Sequence, residues 1–262
     1  MTILQRTLPW SRLVLAMCST VLIGCGKEEK PLPMPVARPT LSNKIESFTG
    51  AHTRIVWSEC ADVGDSDTMA NSDNLVLMGL DTQDGLGARP LQEKPGNYAR
   101  PLLNSDGTCI LWTDKNVSRK GGKKRYRPVI YLTGWKGGRP IRIGEGYAVD
   151  CWLDPATGVE WVYAVQDLRV SKAIALQATK LVRFPLHDVE KVETIYDTTP
   201  ITPDNVQFSR DGTRASALFP WPHAGLLRLV DGKWVPGKLA VGCWTSMAPD
   251  NSGVMWAMVA SA

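Results

Sequence analysis

The chain has 262 residues, 44% of them hydrophobic, and a net charge of +4 from 30 basic and 26 acidic side chains. That length suits one large domain or two small ones, and so balanced a charge makes no field that would gather a polyanion, so no nucleic-acid partner is expected. Ten Trp, 23 Gly and 18 Pro beside only four Phe point to many short strands and tight turns.

The first residues follow an export plan. Arg6 and Arg12 supply positive charge, no acidic residue precedes Glu28, and an apolar run extends from Leu13 to Gly24. A spanning helix needs about 20 apolar residues, so this run has the length of a signal-peptide core instead. It ends in Leu22-Ile23-Gly24-Cys25. This tetrapeptide resembles the lipobox of bacterial lipoproteins. The resemblance implies cleavage after Gly24, a diacylglycerol on the Cys25 thiol, and palmitate or a similar acyl chain on the new amino group. Two or more acyl chains hold a protein on a membrane stably, where one does so only marginally. The expectation is a signal peptide over 1–24 and a lipid anchor at Cys25. The location is then the cell envelope, with Gly26, not Asp, after the cysteine favouring the outer membrane, on its periplasmic or surface face. An ordinary secretory signal with a chance cysteine is the plainer alternative.

Residues 25–44 read as the lipidated cysteine and a tether. Lys27, Glu28, Glu29 and Lys30 are charged, and Pro31, Pro33, Pro35 and Pro39 follow. Such composition favours extended chain and cannot form a core. The folded domain is expected over 45–262. Asp62, Asp65 and Asp67 form an acidic cluster in an expected loop. Their spacing is not that of an EF-hand, and a solvated loop is the simpler reading. Four cysteines remain in the domain: Cys60, Cys109, Cys151 and Cys243. An exported chain meets an oxidising compartment. The four admit three pairings or stand as buried free thiols, and they lack the close spacing of a zinc site.

Strands are expected at Thr53–Ser58 and Leu75–Leu80. A turn-then-strand unit then recurs. Asn104-Ser105-Asp106-Gly107-Thr108 leads to Cys109–Trp112. Asp154-Pro155-Ala156-Thr157-Gly158 leads to Val159–Tyr163. Ser209-Arg210-Asp211-Gly212-Thr213 leads to Ala217–Phe219. Ala248-Pro249-Asp250-Asn251-Ser252-Gly253 leads to Val254–Trp256. The turn glycines Gly107, Gly158, Gly212 and Gly253 recur every ~40–55 residues, and glycine takes the positive φ of a tight turn without a Cβ penalty. Each hairpin is followed by further strand-like runs. The intervening turns are expected at Lys136-Gly137-Gly138-Arg139 and Asp231-Gly232-Lys233. Four strands per unit is the arithmetic of a β-propeller blade. The expected fold is all-β: a β-propeller of four-stranded blades, with four to five blades visible. A β-sandwich with look-alike hairpins is the alternative.

The repeated segments, with Asp106-Gly107, Asp211-Gly212 and Asp250-Asn251 at their centres, resemble the PD40 (WD40-like) repeats of TolB-like propellers over roughly residues 50–262. The Asp154–Gly158 segment matches loosely, and the unit near residue 55 lacks the motif. TolB-like propellers usually carry six blades. The resemblance therefore implies an incomplete ring, from a truncated product or from unconventional closure by the first strands, with truncation favoured.

No cofactor or metal is expected. His52, His187 and His223 are scattered and lack metal spacing, and no nucleophile elbow or phosphate loop occurs. Arg119, Lys120, Lys123, Lys124, Arg125 and Arg127 crowd around Gly121-Gly122. This cluster suits an anionic lipid or glycan surface, or is a solvated hairpin tip. Trp112, Trp161 and Trp256 sit near repeat turns, where they are expected to pack between blades. The functional expectation is a non-catalytic module that binds an envelope protein or glycan. A glycan-active hydrolase or lyase on the same scaffold is the second reading, since fold alone does not decide function.

Overall fold

The computed structural model describes residues 40–61, 73–120, 123–170 and 176–259. Strands and turns fill these stretches, with one helix. Helix α1 (Leu41–Thr49) takes in the last four residues of the expected tether. The Asn43 amide donates to the Thr40 side chain, and Gly50 ends the helix with φ 70°, a left-handed C-cap. No helix residue is buried. Among the described residues no helix is long and apolar enough to cross a membrane.

The strands form consecutive antiparallel sheets. The first blade holds β1 (Arg54–Cys60), β2 (Leu75–Asp81) and β3 (Arg89–Pro90). The second is β4 (Ala99–Leu103), β5 (Cys109–Asp114), β8 (Val129–Gly134) and β9 (Gly137–Glu145). A hairpin of β6 (Val117–Lys120) and β7 (Lys123–Tyr126) is inserted between its second and third strands. The third blade repeats this plan with β10 (Tyr147–Leu153), β11 (Glu160–Gln166), β14 (Lys180–Pro185) and β15 (Glu193–Tyr196). Its inserted hairpin is β12 (Arg169–Val170) with β13 (Leu176–Gln177). The fourth blade is β16 (Thr202–Phe208), β17 (Arg214–Leu218), β18 (His223–Val230) and the first part of β19 (Lys233–Met247). The rest of β19 pairs with β20 (Met255–Val259) and begins a fifth blade.

The innermost strands follow one another: β1 packs on β4, β4 on β10, β10 on β16, and β16 on β19. This is a β-propeller of four blades with two strands of another. Among the described residues, β1 has no extensive packing against β19 or β20.

The core is a series of layers between blades. Leu77, Leu91, Ile110, Trp112 and Trp135 fill the first layer. Leu111, Ile130, Ala148, Val162 and Phe184 fill the second. Tyr163, Val165, Leu181, Phe208, Ala215 and Phe219 fill the third, where the Tyr163 and Phe208 rings stack 3.8 Å apart. Alternation explains the assignment: Ile110 and Trp112 face back to the first blade, while Leu111 faces forward to the third. The aromatic expectation holds for Trp112, which is buried, and for Trp161, half-buried beneath the Arg183 guanidinium. It fails for Trp256, which is 58% exposed, with no blade of the described residues over its sheet.

The expected repeat turns all form. In the second and fourth blades the geometry is the same. The Gly107 amide donates to the Asn104 carbonyl, and the Gly212 amide to that of Ser209. Asp106 accepts from the amide and hydroxyl of Thr108, and Asp211 from those of Thr213. The third blade's turn is one residue longer, with Gly158 donating to Asp154. Asp231 and Gly232 both have positive φ, the type I′ pattern that matches strand twist. One turn is displaced: the β8–β9 turn lies at Trp135-Lys136, and Gly137 and Gly138 already belong to β9.

Neighbouring blades are stitched at these turns. Arg54 donates to the Gly107 carbonyl at 2.8 Å. The Ser105 amide donates to Glu160 of the next blade. Trp152 donates to the Arg210 carbonyl at 2.9 Å, and the Asp211 amide to Asn251 at 2.8 Å.

The turns give a graded test. Gly158 (φ 69°) has open space where a Cβ would stand, so Gly158→Ala should cost only the left-handed strain of about 1–2 kcal/mol. A Cβ on Gly212 (φ 66°) would meet the Trp152 ring at 2.4 Å. Overpacking should then add about 1–3 kcal/mol. Urea unfolding of both variants checks the order; equal losses would contradict it.

Candidate functional site

All but one of the innermost strands share a defect. Four of them, β4, β10, β16 and β19, carry a register shift: between Ala99 and Leu102, Ala148 and Asp150, Thr202 and Gln207, and Cys243 and Ser246, while β1 pairs in continuous register. Bulges of this kind bend a strand and re-aim its side chains. Arg100 and Trp244 have positive φ there, 46° and 54°. The polar groups at these bulges tie blades together. Asp150 accepts from the Phe208 amide at 2.7 Å and the Cys151 amide at 2.8 Å. Arg100 donates to the Pro203 carbonyl at 3.2 Å. In the last step Gln207 accepts from the Ser246 hydroxyl and the Met247 amide. Burial pushes the Asp150 carboxyl up to about 6, against the pull of its two amide donors and Arg100.

The last sheet presents the other feature. Each repeat hairpin closes with an amide bonded to a carbonyl: Asn104 to Cys109, Asp154 to Val159, Ser209 to Arg214, and Ala248 to Val254. Two residues beyond the closing carbonyl stand Leu111, Trp161, Ser216 and Trp256. Leu111 and Trp161 face the following blade and pack into the layer it creates. Trp256 holds the same place, with no sheet of the described residues opposite. Met258, on the same face, is 57% exposed. Leu239, Val241, Trp244, Val254 and Val259 are exposed close by in sequence. Among the described residues, seven of the nineteen exposed large apolar side chains thus fall between 239 and 259. Among the described residues the outer edge of β20 has no neighbouring strand, and Val254–Val259 contains no charge and no Pro. Native edges usually carry such residues to prevent pairing with another chain.

The sequence-predicted residues are placed as follows. Asp106, Gly107, Gly158, Asp211, Gly212, Asp250 and Gly253 lie in the repeat turns. Hydrogen bonds hold the carboxyls of Asp106, Asp211 and Asp250 below their ordinary range: Thr108 leads for Asp106 and Ser252 for Asp250, while at Asp211 donors led by Ser209 overcome a larger opposing effect of burial. Cys109, Cys151 and Cys243 are free thiols. Cys25, its leader, and Asp62, Asp65 and Asp67 lie outside the described residues, as does Gly121-Gly122. The basic cluster is a hairpin whose register sets Arg119 opposite Lys124 and Lys120 opposite Lys123. Its β7 lies beside β12 of the next blade.

His52, read from sequence as a surface residue, is 41% exposed at its side chain but engaged: its Nε2 lies 2.6 Å from the buried Asp81, which also accepts from Arg54 Nε at 2.7 Å. Burial alone would raise the Asp81 carboxyl, but hydrogen bonds from Arg54, the Gln83 amide and His52 outweigh it and hold the group at about 2. No local motif announces this triad, since the Asp lies on the strand paired with β1.

No family model matches the chain, and no curated protein does. Solved structures do. A TolB described as putative, from Agrobacterium tumefaciens, aligns at 15% identity over 65% of this chain and 56% of its own, with a TM-score of 0.38. TolB from Acinetobacter baumannii aligns at 13% over 80% and 60%, with a TM-score of 0.32. An oligogalacturonate lyase from Vibrio parahaemolyticus aligns at 9% identity over 66% of each chain, with a TM-score of 0.27. The chain spans less than two thirds of the length of either TolB.

Two carboxylates should shape stability against pH in opposite senses. The Asp150 pKa is raised, so its contribution is present below about pH 4 and lost as pH rises through about 6. The Asp81 pKa is depressed, so its contribution is present above about pH 4 and lost as pH falls through about 2. Urea midpoints across this range should fall on both sides. Asp150→Asn should flatten the upper limb and Asp81→Asn the lower. A limb that keeps its slope in its variant refutes that assignment.

Proposed function

We propose that this protein is a lipid-anchored envelope module that binds another protein through the last sheet of its propeller. The carrying observation is Trp256: an aromatic at the position that faces a following blade, solvent-exposed, on an uncharged strand that is an edge among the described residues. A partner of matching chemistry presents a β-hairpin or sheet face. It can extend β20 through backbone hydrogen bonds and cover Trp256 and Met258 with apolar side chains. The anchor is argued from the ordered charge, apolar core and lipobox-like Leu22–Cys25 at the start of the chain. Two acyl chains and a proline-rich tether would hold the propeller near, but off, the membrane. Nothing in this role needs a cofactor or chemistry.

Two experiments test the two halves. Cys25→Ala should move the protein from the membrane to the soluble fraction, with no acyl mass; an acylated, membrane-bound variant would overturn the anchor. A photo-reactive residue at 256 should cross-link in cells to a discrete envelope protein, and Trp256→Glu should weaken that partner's binding at least tenfold, about 1.4 kcal/mol or more. The same probe at Leu86, 66% exposed on the first blade, should give no such adduct. Equal adducts at both positions, or adducts only to glycan, would overturn the docking surface. An intact mass above that of residues 25–262 plus acyl chains would assign the face to further sequence of the same chain.

A further inference from the structure

Two cysteines stand at the turn end of neighbouring strands, Cys109 on β5 and Cys151 on β10, which approach each other between the second and third blades. Cys109 opens β5 on the same side as Leu111, which packs into the layer between the second and third blades. Cys151 lies on β10 opposite Val162 and packs into that same layer. Both stand at the end where the repeat turns are stitched, and one polar pair touches both. Asn104 Oδ1 accepts from the Cys109 amide at 2.7 Å. Asn104 Nδ2 donates to Glu160 Oε2 at 3.3 Å. Cys151 Sγ donates to Glu160 Oε1 at 3.6 Å. Burial first, then Glu160 and Asp150, hold the Cys151 thiol protonated. Cys243 stands two blades away, on β19.

We propose that Cys109 and Cys151 are a disulfide pair that staples the second blade to the third in an oxidising compartment. The compartment rests on the export reading above; the pairing does not. The chemistry balances with an external disulfide, such as an envelope thiol oxidant or glutathione disulfide. The Cys109 thiolate attacks it, forming a mixed disulfide and releasing one thiolate. Cys151 then gives its proton to the thiolate sulfur released in the first step, and its own sulfur attacks Cys109 Sγ, expelling the second thiol. The two cysteines lose two electrons and two protons, and the oxidant gains them. Cys151 acts second because its proton must first be taken.

The test uses the full chain extracted in detergent, reduced, then equilibrated with reduced and oxidised glutathione. Free thiols are alkylated after denaturation, and unreduced peptides are mapped by mass. The expected result is a peptide pair joining 109 to 151, with Cys243 alkylated. The linked form should unfold at higher urea than the reduced form, and Cys109→Ser and Cys151→Ser should each abolish that shift. Both cysteines alkylated, a lasting glutathione adduct on Cys109, or a link from either to Cys243 would overturn the pairing. A parallel sample is acid-quenched in cells before extraction. The link found there supports pairing and export together. Thiols in cells, with the link forming in glutathione buffer, would overturn the export reading and uphold the pairing.

Discussion

The second and third blades bury apolar residues on both faces, so each needs a sheet on either side. That constraint orders the rest. No single core collects the buried side chains. Three layers do, each made by two consecutive blades and each read from alternate residues of the same strands. Ile110 serves one layer and Leu111 the next, and neither blade can bury its face alone. The repeat turns fix the relative position of the blades, because each turn offers a backbone group to its neighbour: the Gly107 carbonyl to Arg54, the Ser105 amide to Glu160, the Arg210 carbonyl to Trp152, the Asp211 amide to Asn251. A buried backbone group left without a partner is costly, so these contacts set the register of packing as well as its strength.

The turns were legible because their chemistry is local. An Asp that captures the amide two residues on, followed by a glycine at positive φ, needs only six residues to be recognised. The strands between turns followed from alternation. The turn at Trp135-Lys136 was misplaced because Gly137-Gly138 looks like a turn, yet both glycines extend into β9. The helix at Leu41–Thr49 was missed because nearby prolines and charges suggested extended chain. Its Thr40 cap and Gly50 stop are visible in the sequence, but it buries nothing, so no apolar stripe marks it.

The candidate surface was only half legible. Sequence grouped Trp112, Trp161 and Trp256 as one class. Counting from the hairpin closure separates them: Trp112 lies three residues on and faces back, while Trp161 and Trp256 lie two on and face forward. Parity of one residue decides which blade a side chain meets. The His52–Asp81–Arg54 cluster and the Cys109–Cys151 pair were out of reach, since each joins segments brought together only by sheet pairing or blade packing. The bulges on the innermost strands were hidden too, because they are shifts of register, and pairing is not written in any one strand.

The blade layers also differ in how they are closed, and this separates stability from recognition. The third layer is aromatic and tightly stacked, with Tyr163 and Phe208 at its centre. The second is aliphatic, and polar groups at its turn end hold Cys151 against Glu160. Beyond the fourth blade, the fifth sheet is tied by Gln207 to Ser246 and Met247 and by Asp211 to Asn251, all near the inner end and the turn. Its far strand, β20, has partners on one side only among the described residues. Few buried contacts and a single pairing edge give a low cost of local opening. A surface with that character gains most from an added sheet, because covering it buries Trp256 and Met258 and supplies the missing hydrogen bonds together. The early blades, cross-braced between Asp81, Arg54 and Gly107, supply the rigid frame against which such an addition can be positioned.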